Sequence, residues 1–425
     1  MKIEKLYTLY KKHYKVTTDT RLDLTDSIFF ALKGGNFNGN LFAEKALNKG
    51  ASYAIVDEKK HQTNKNIIWV EDVLQTLQDL AKYHREQLNI PVIALTGSNG
   101  KTTTKELIQA VLKEKYTCVA TKGNLNNHIG VPLTLLSVLP ETEIMVVEMG
   151  ANHPNEIAML CEIAKPDYGY ITNYGKVHLE GFINLEGVIK AKTELYKYLQ
   201  TNNKTVFVNT DDAVQVLESK EMNVLSFGKK DANYPIKYIN ANPFVRLIFD
   251  NIDVQSKLIG KYNYLNIATA IAIGKYFKVP NNSIKNGIEN YVPTNNRSQI
   301  IEKGSNKIIM DACNANPNSM KVALENLEQL TAKNKIAILG DMFEIGESSQ
   351  QEHQNIVDII NLSNLSDVFL IGANFLALSI SNKKINTFKT FQEFKEKSRN
   401  LKIENATILI KASRGMALER VLELL

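Results

Sequence analysis

Thr96-Gly97-Ser98-Asn99-Gly100-Lys101-Thr102-Thr103-Thr104-Lys105-Glu106 is the most telling stretch of this 425-residue chain. The short apolar run before it, Pro91-Val92-Ile93-Ala94-Leu95, reads as a buried strand, and Leu107-Ile108-Gln109-Ala110-Val111-Leu112 after it reads as a helix. Strand, glycine turn and helix N-terminus together make a phosphate cradle, because free backbone N–H groups and the positive end of the helix dipole face the anion. The nucleotide-binding turn is therefore expected over Thr96, Gly97, Ser98, Asn99, Gly100, Lys101, Thr102 and Thr103. Lys101 is expected to reach the terminal phosphates, and the Thr102 hydroxyl to ligate Mg²⁺. Two residues separate Gly97 from Gly100-Lys101, where the common phosphate loop has four before its Gly-Lys.

Around this centre the chain alternates strands and helices. Ser27–Leu32 and Tyr53–Val56 read as strands, with a loop at Gly34–Asn40, a helix at Phe42–Asn48 and another over Val73–Leu88. Asn89-Ile90-Pro91 breaks that last helix and sets a boundary. Between Pro91 and Arg297, strands at Ile144–Val147, Tyr168–Thr172 and Val206–Val208 argue for a mostly parallel sheet covered on both faces. Leu185–Leu199 and Asn263–Phe277 read as helices, and Val224–Leu258 as strands and turns. Strands at Lys307–Asp311, Lys335–Leu339, Val368–Ile371 and Thr407–Lys411 then describe a Rossmann-like, doubly wound unit. The expectation is an α/β protein of three domains, residues 1–88, 89–297 and 298–425.

Bulk properties narrow the class. Hydrophobic content of 44% and charged content of 23% suit a globular enzyme rather than a disordered or membrane chain. The net charge of +6 is spread along the sequence and no nucleic-acid motif accompanies it, so no nucleic-acid partner is expected. Cys118, Cys161 and Cys313 form no CxxC pair or even framework, which fits a reducing compartment. The first sixteen residues lack a signal-peptide core, and no apolar run is long enough to span a bilayer. The cytoplasm is the expected location, with no membrane insertion and a monomer as the default state.

Seven further positions carry candidate chemistry. Glu148 ends the Ile144–Val147 strand, and ligands bind at the carboxyl ends of strands in open α/β sheets, so its carboxylate is a candidate Mg²⁺ ligand. His178, after the neighbouring strand, offers a ring nitrogen to the same metal. Lys192 lies on a helix and reads in two ways: a solvated cation, or an amine carbamylated by CO₂ into an oxygen ligand, which requires a lowered pKa. Lys101, Glu148, His178 and Lys192 are the candidate catalytic residues. Asn263 and Asn266 lie one turn apart and read as a bracket for an adenine edge. Arg297, before the last domain, suits a phosphate clamp, and Asp311 ends a strand that faces the nucleotide.

Taken in order, these motifs resemble the Mur ligases along the whole chain. The similar stretches include Thr18-Asp19-Thr20-Arg21, Phe29-Phe30-Ala31-Leu32, the Thr96–Thr102 turn, and Gly123-Asn124-Leu125-Asn126-Asn127-His128-Ile129-Gly130-Val131-Pro132. They continue with Glu148-Met149-Gly150-Ala151-Asn152, His178-Leu179-Glu180-Gly181, Lys190-Ala191-Lys192, Asn263 to Asn266, Arg297, Asp311 to Pro317, Gly340-Asp341-Met342 and Lys411-Ala412-Ser413-Arg414. The Gly-Asn-Leu-Asn-Asn block, Glu-Met-Gly-Ala-Asn and Asn-Ala-Asn-Pro favour the branch that adds D-alanyl-D-alanine. This chain departs from the family pattern at Asn38-Gly39-Asn40, Tyr262, Asn295-Asn296 and Cys313.

The resemblance implies a UDP-binding first domain, an ATP-binding second domain and a third that completes the ligase site. It also implies an ATP-dependent ligase whose substrates are UDP-MurNAc-tripeptide and D-Ala-D-Ala. The peptide carboxylate attacks the γ-phosphate, and the amine of D-Ala-D-Ala then attacks the resulting acyl phosphate. One Mg²⁺ is implied on Thr102 and a second on Glu148, His178 and carbamylated Lys192. Substrate contacts are implied at Arg21, Asn124, Asn127, Asn314, Asn316, Lys411, Ser413 and Arg414. The folylpolyglutamate synthases share the short phosphate turn and the ATP chemistry, but lack a UDP-binding domain of this kind. Another Mur ligase is the nearer alternative, and an ATP-regulated binding protein without turnover a more distant one.

Overall fold

In the computed structural model, which describes residues 1–177, 179–228, 230–398 and 403–425, the strand Val92–Thr96 lies fully buried at the heart of a nine-stranded sheet. It pairs in parallel with Ile144–Glu148 on one side and Tyr168–Ile171 on the other. The register sets Leu95 against Glu148 and Thr96 against Ile171, so the phosphate turn and Glu148 leave the sheet side by side. Outward from Tyr168–Ile171 come Thr205–Asn209, Asn223–Gly228 and Tyr234–Ala241, all parallel. Phe244–Phe249 then reverses and Ile252–Ile259 turns back, so a meander extends the expected parallel sheet. Cys118–Ala120 forms the opposite edge. The apolar runs of the central strands follow from burial on both faces.

The two faces carry different helices. Lys101–Lys113 and Asn263–Tyr276 bury Leu107, Ile108, Val111, Ile267 and Ile271 against Ile93, Leu95 and Val146. On the other face Leu185–Thr201 sets Val188, Leu195 and Leu199 into a cluster with Ala94, Val147 and Ile171. That cluster continues without a gap into the N-terminal part of the chain. Val73–Gln87 joins the two: it presents Val73, Leu77, Leu80 and Ala81 to a core shared by Phe30, Ile55, Val131 and Leu135. Arg85 fastens the joint by donating to the Ala164 and Lys165 carbonyls and to Asp167.

The N-terminal sheet has four parallel strands in the order Val16–Thr17, Ile28–Phe30, Tyr53–Val56 and Ile67–Trp69. Two elements go beyond the expectation. Ile3–His13 is a helix that buries Leu6, Tyr7 and Tyr10, a spacing that the frequent lysines obscure in the sequence. Within the loop expected at Gly34–Asn40, Lys33–Gly34 and Phe37–Asn38 pair as a hairpin around Gly35-Asn36, a two-residue connection of the kind glycine and asparagine favour.

The C-terminal sheet runs Gln299–Lys303, Asn306–Asp311, Thr407–Lys411, Lys335–Gly340, Asp367–Ile371 and Ile385–Phe388. Only its first strand is antiparallel. The last strand in sequence, Thr407–Lys411, inserts between Asn306–Asp311 and Lys335–Gly340. This places Asp311, Lys411 and Asp341 together at the carboxyl edge, where open α/β sheets bind ligands. The doubly wound fold class matches the expectation.

Candidate active site

Gly97 and Gly100 are required where they stand. Both have positive φ, +139° and +81°, and a Cβ at Gly97 would lie 2.0 Å from Thr172 Oγ1, while one at Gly100 would lie 2.6 Å from Asn266 Oδ1. The segment after Tyr168–Ile171 grips the turn between them. Ser98 N–H donates to the Asn173 carbonyl at 3.0 Å, and Asn99 N–H donates to Asn173 Oδ1 at 3.0 Å. Thr172 Oγ1 and Asn173 Nδ2 both donate to the Asn99 carbonyl, at 2.6 and 2.9 Å. Thr102 and Thr103, in the first turn of the following helix, are buried, and Thr96 Oγ1 is buried with no hydrogen-bond partner. Lys101 folds over the turn, its Nζ donating to the Gly97 and Ser98 carbonyls at 2.6 and 3.1 Å. Desolvation lowers its pKa to about 8; nearby Glu148 opposes the shift and Arg297 adds to it.

Glu148 stands beside this turn, 1% exposed. Its Oε1 accepts from Thr102 Oγ1 at 3.2 Å and from Asn126 Nδ2 at 2.8 Å. Its Oε2 is buried and has no partner. Leaving a buried carboxylate oxygen unmatched is costly, so the arrangement is poised for a cation. Lys192 is also 1% exposed, with Nζ donating to the Ala151 carbonyl at 3.1 Å and lying 5.2 Å from the centre of the Phe182 ring. Burial lowers its pKa to about 7; Lys101 adds to the shift, while Glu156 and Glu194 oppose it. Of its two sequence readings, the solvated cation does not survive. His178 lies outside the described residues. Among the described residues no cluster of three or more His, Cys, Asp and Glu side chains forms a metal site by itself.

Residues 95–274 match the Mur ligase middle domain, and residues 296–414 match the Mur ligase glutamate ligase domain. The UDP-N-acetylmuramoyl-tripeptide–D-alanyl-D-alanine ligase of Bacillus subtilis (strain 168) is 33% identical over 432 residues, covering 96% of this chain and 92% of the relative. This chain belongs to the Mur ligase family. Among solved structures, a crystal structure of MurF from Acinetobacter baumannii superposes with a TM-score of 0.86 at 30% identity, covering 96% of this chain and 92% of that one. MurF ligase from Thermotoga maritima, solved in complex with ADP, gives a TM-score of 0.83 at 28% identity, covering 98% and 97% of the two chains.

Against this Mur ligase frame the remaining candidates fall into three groups. One lies at the boundary of the central and C-terminal sheets. Asn316 caps the helix Pro317–Gln329 through a reciprocal box with Ser319, and its Nδ2 donates to Asn99 Oδ1 in the phosphate turn at 2.7 Å. Lys411, 2% exposed, donates to Asp311 Oδ2 at 2.5 Å and to the Asn314 carbonyl at 3.1 Å. Ser413 Oγ accepts from Phe343 N–H at 2.9 Å, tying two strand ends together. Arg297 is half-buried between the two sheets and has no hydrogen-bond or ion-pair partner among the described residues.

The second group turns inward. Asn263 and Asn266 are buried, Asn266 Nδ2 donating to Asn263 Oδ1 at 2.8 Å, while Asn266 Oδ1 accepts from Thr104 Oγ1 at 3.0 Å. One turn of spacing does put the two amides together, but the helix presents that face to the phosphate-loop helix. In this structure the pair braces Gly100 from behind. Asn127 is exposed, and its side-chain oxygen accepts from the Ile129 and Gly130 N–H groups that open the helix Gly130–Leu135.

The third group is exposed. Arg21 forms a fork with Asp19, whose carboxyl is held at about 2 by that bond. Arg414 pairs with Glu419 at 2.9 Å, and Asn124 lies in the exposed 123–128 turn. Sequence reasoning passed over Asn126 and Thr121, whose Oγ1 accepts from Glu148 N–H at 3.0 Å. Asn126 stands inside the Gly-Asn-Leu-Asn-Asn block, but that block holds three asparagines and the spacing alone does not say which reaches the carboxylate.

Proposed function

We propose that this Mur ligase joins D-alanyl-D-alanine to UDP-N-acetylmuramoyl-tripeptide at the expense of ATP, in the synthesis of peptidoglycan precursors. The activity of the relatives supports the substrates. The observation that carries the chemistry is the unpartnered Glu148 Oε2, buried beside Thr102 at the mouth of a phosphate turn.

The reaction brings a carboxylate to a triphosphate, so its first need is cationic charge. Lys101 supplies one cation: its Nζ leaves the Gly97 and Ser98 carbonyls for the γ-phosphate, and the N–H groups that open the Lys101–Lys113 helix hold the β-phosphate. Thr102 would hold one Mg²⁺, and Glu148, His178 and carbamylated Lys192 a second. Mg²⁺, when bound, neutralises the facing oxygens and lets two anions approach. Lys192 joins such a set as a carbamate, formed when its neutral amine attacks CO₂ and releases a proton. Its burial and lowered pKa support this, because the amine is substantially neutral near pH 7. The peptide carboxylate then displaces ADP from the γ-phosphate, and the amine of D-Ala-D-Ala displaces phosphate from the acyl carbon.

Residues 1–88 bind the UDP moiety, 89–297 bind ATP and 298–425 receive D-Ala-D-Ala. Arg21, Asn124, Asn127, Asn314, Asn316, Lys411, Ser413 and Arg414 are the substrate-side contacts, and Asp311 and Arg297 face the nucleotide. Closure of the last domain over the turn keeps water from the acyl phosphate. The Asn316–Asn99 contact supports this. The enzyme works as a monomer in the cytoplasm, where ATP and a UDP-linked substrate meet. Among the described residues no helix is long and apolar enough to cross a membrane.

Phosphate release, followed with UDP-MurNAc-tripeptide and ATP, tests the reading. Sustained release that requires D-Ala-D-Ala is the expected result. Release driven equally by glutamate or by diaminopimelate in its place supports another Mur ligase instead.

A further inference from the structure

Arg297 sits in a turn of unusual conformation. Its neighbours Asn296 and Ser298 both adopt the left-handed region, at φ +55° and +53°, which asparagine tolerates but serine rarely adopts without support. The support comes from two directions. On one side Asn295 Nδ2 donates to Glu106 Oε1 at 2.9 Å, and Tyr291 Oη donates to Glu106 Oε2 at 2.6 Å. Glu106 belongs to the phosphate-loop helix, five residues after Lys101. On the other side Tyr262 Oη and Ser298 Oγ lie 2.7 Å apart, and Ser298 N–H approaches Asp311 Oδ1 at 3.3 Å. The guanidinium between these anchors has no partner among the described residues, and it is an electrostatic neighbour of Lys101.

We propose that Glu106 and Tyr262 are positioning residues. Together they fix the 295–298 turn, and through it the place where Arg297 meets the phosphates of the bound nucleotide. The inference rests on the reading of the 96–103 turn as the nucleotide site. Because Glu106 rides on the helix that follows that turn, the phosphate cradle and Arg297 are set by one rigid element. A strained turn held at both ends presents its side chain without an ordering cost at binding.

Equilibrium binding of ADP to the full-length chain tests this, with melting temperature recorded for each variant. Arg297→Ala is expected to weaken ADP binding about tenfold, the loss of one charge-assisted contact. Glu106→Ala and Tyr262→Phe are each expected to weaken it about threefold or more. In the Arg297→Ala background both effects should shrink to within about twofold, since residues acting through one group are not additive. Tyr262→Phe keeps the ring that packs on Gly260 and removes only the hydroxyl, so it decides the matter even if Glu106→Ala fails to fold. Factors that multiply in the double variants overturn the proposal, as does a Tyr262→Phe chain that binds ADP like the wild type. A wild-type chain that does not bind ADP contradicts the nucleotide reading itself and the anchors with it. Binding by wild type that Arg297→Ala leaves unchanged contradicts the anchors alone.

Discussion

Thr102 Oγ1 donates to Glu148 Oε1 at 3.2 Å, while Glu148 Oε2 on the same carboxylate is buried and unmatched. One residue follows the phosphate turn and the other ends the adjacent strand, and the Leu95–Glu148 register makes them neighbours. Removing the charge without the shape, as Glu148→Gln, should therefore raise the Mg²⁺ concentration needed for half-maximal rate and cut turnover about a hundredfold. Melting temperature should not fall, because a buried charge has been removed. An unchanged Mg²⁺ dependence contradicts the assignment.

Lys101→Ala removes the cation that faces the γ-phosphate. A transition-state loss of roughly 3 kcal/mol or more is expected, again about a hundredfold in rate. The fold should persist, since Lys101 Nζ bonds only to carbonyls of its own turn. Steady-state kinetics showing activity within tenfold of wild type would count against the phosphate turn as the ATP site.

Lys192→Ala should nearly abolish turnover if the side chain serves as a carbamate. A short carboxylic acid in solution should then restore part of the rate by occupying the vacated oxygen position, and bicarbonate should not. Lys190 is the internal control: it is exposed, and two residues turn about 200° around a helix. Lys190→Ala should be mild. Equal damage from both substitutions, or no rescue at any acid concentration, returns Lys192 to a purely structural role.

His84 links the N-terminal helix to the central layer, within reach of Tyr7 Oη at 3.2 Å, Tyr10 Oη at 3.3 Å and the Val138 carbonyl at 3.3 Å. Burial lowers its pKa from 6.5 to about 4. Below pH 6.5 the unfolded chain binds a proton that the folded chain refuses, so stability falls as pH drops toward 4 and is unaffected by this group above 6.5. Between pH 6.5 and 5 the loss is about 2 kcal/mol. Urea unfolding across that range should show a shallower slope for His84→Gln than for wild type; equal slopes contradict the assignment.

Much of this arrangement is legible in the sequence where local and global signals agree. Val92–Thr96, the glycine turn and the Lys101 helix are consecutive, so strand, turn and dipole are read together, and Glu148 follows from a single strand end. Contacts between distant segments are less legible. Nothing local distinguishes Asn126, which reaches Glu148, from Asn124, which stays exposed. The Asn263–Asn266 pair shows that helical spacing fixes which side chains share a face but not what that face meets. Val73–Gln87 reads as the end of one domain, yet its apolar stripe serves a core on both sides of the expected boundary. The pairing of Lys411 with Asp311 depends on the last strand inserting between two earlier ones, an order that adjacency in sequence does not contain.

The central claim is that this chain activates the peptide carboxylate as an acyl phosphate. It is tested most directly by carrying out the reaction with UDP-MurNAc-tripeptide labelled with oxygen-18 in its terminal carboxylate, together with ATP and D-Ala-D-Ala, and weighing the released phosphate. The account predicts one heavy oxygen transferred to each phosphate, alongside a peptide product extended by D-Ala-D-Ala. Unlabelled phosphate accompanying the same product would contradict it, because the carboxylate oxygen would then never have been bonded to the γ-phosphorus.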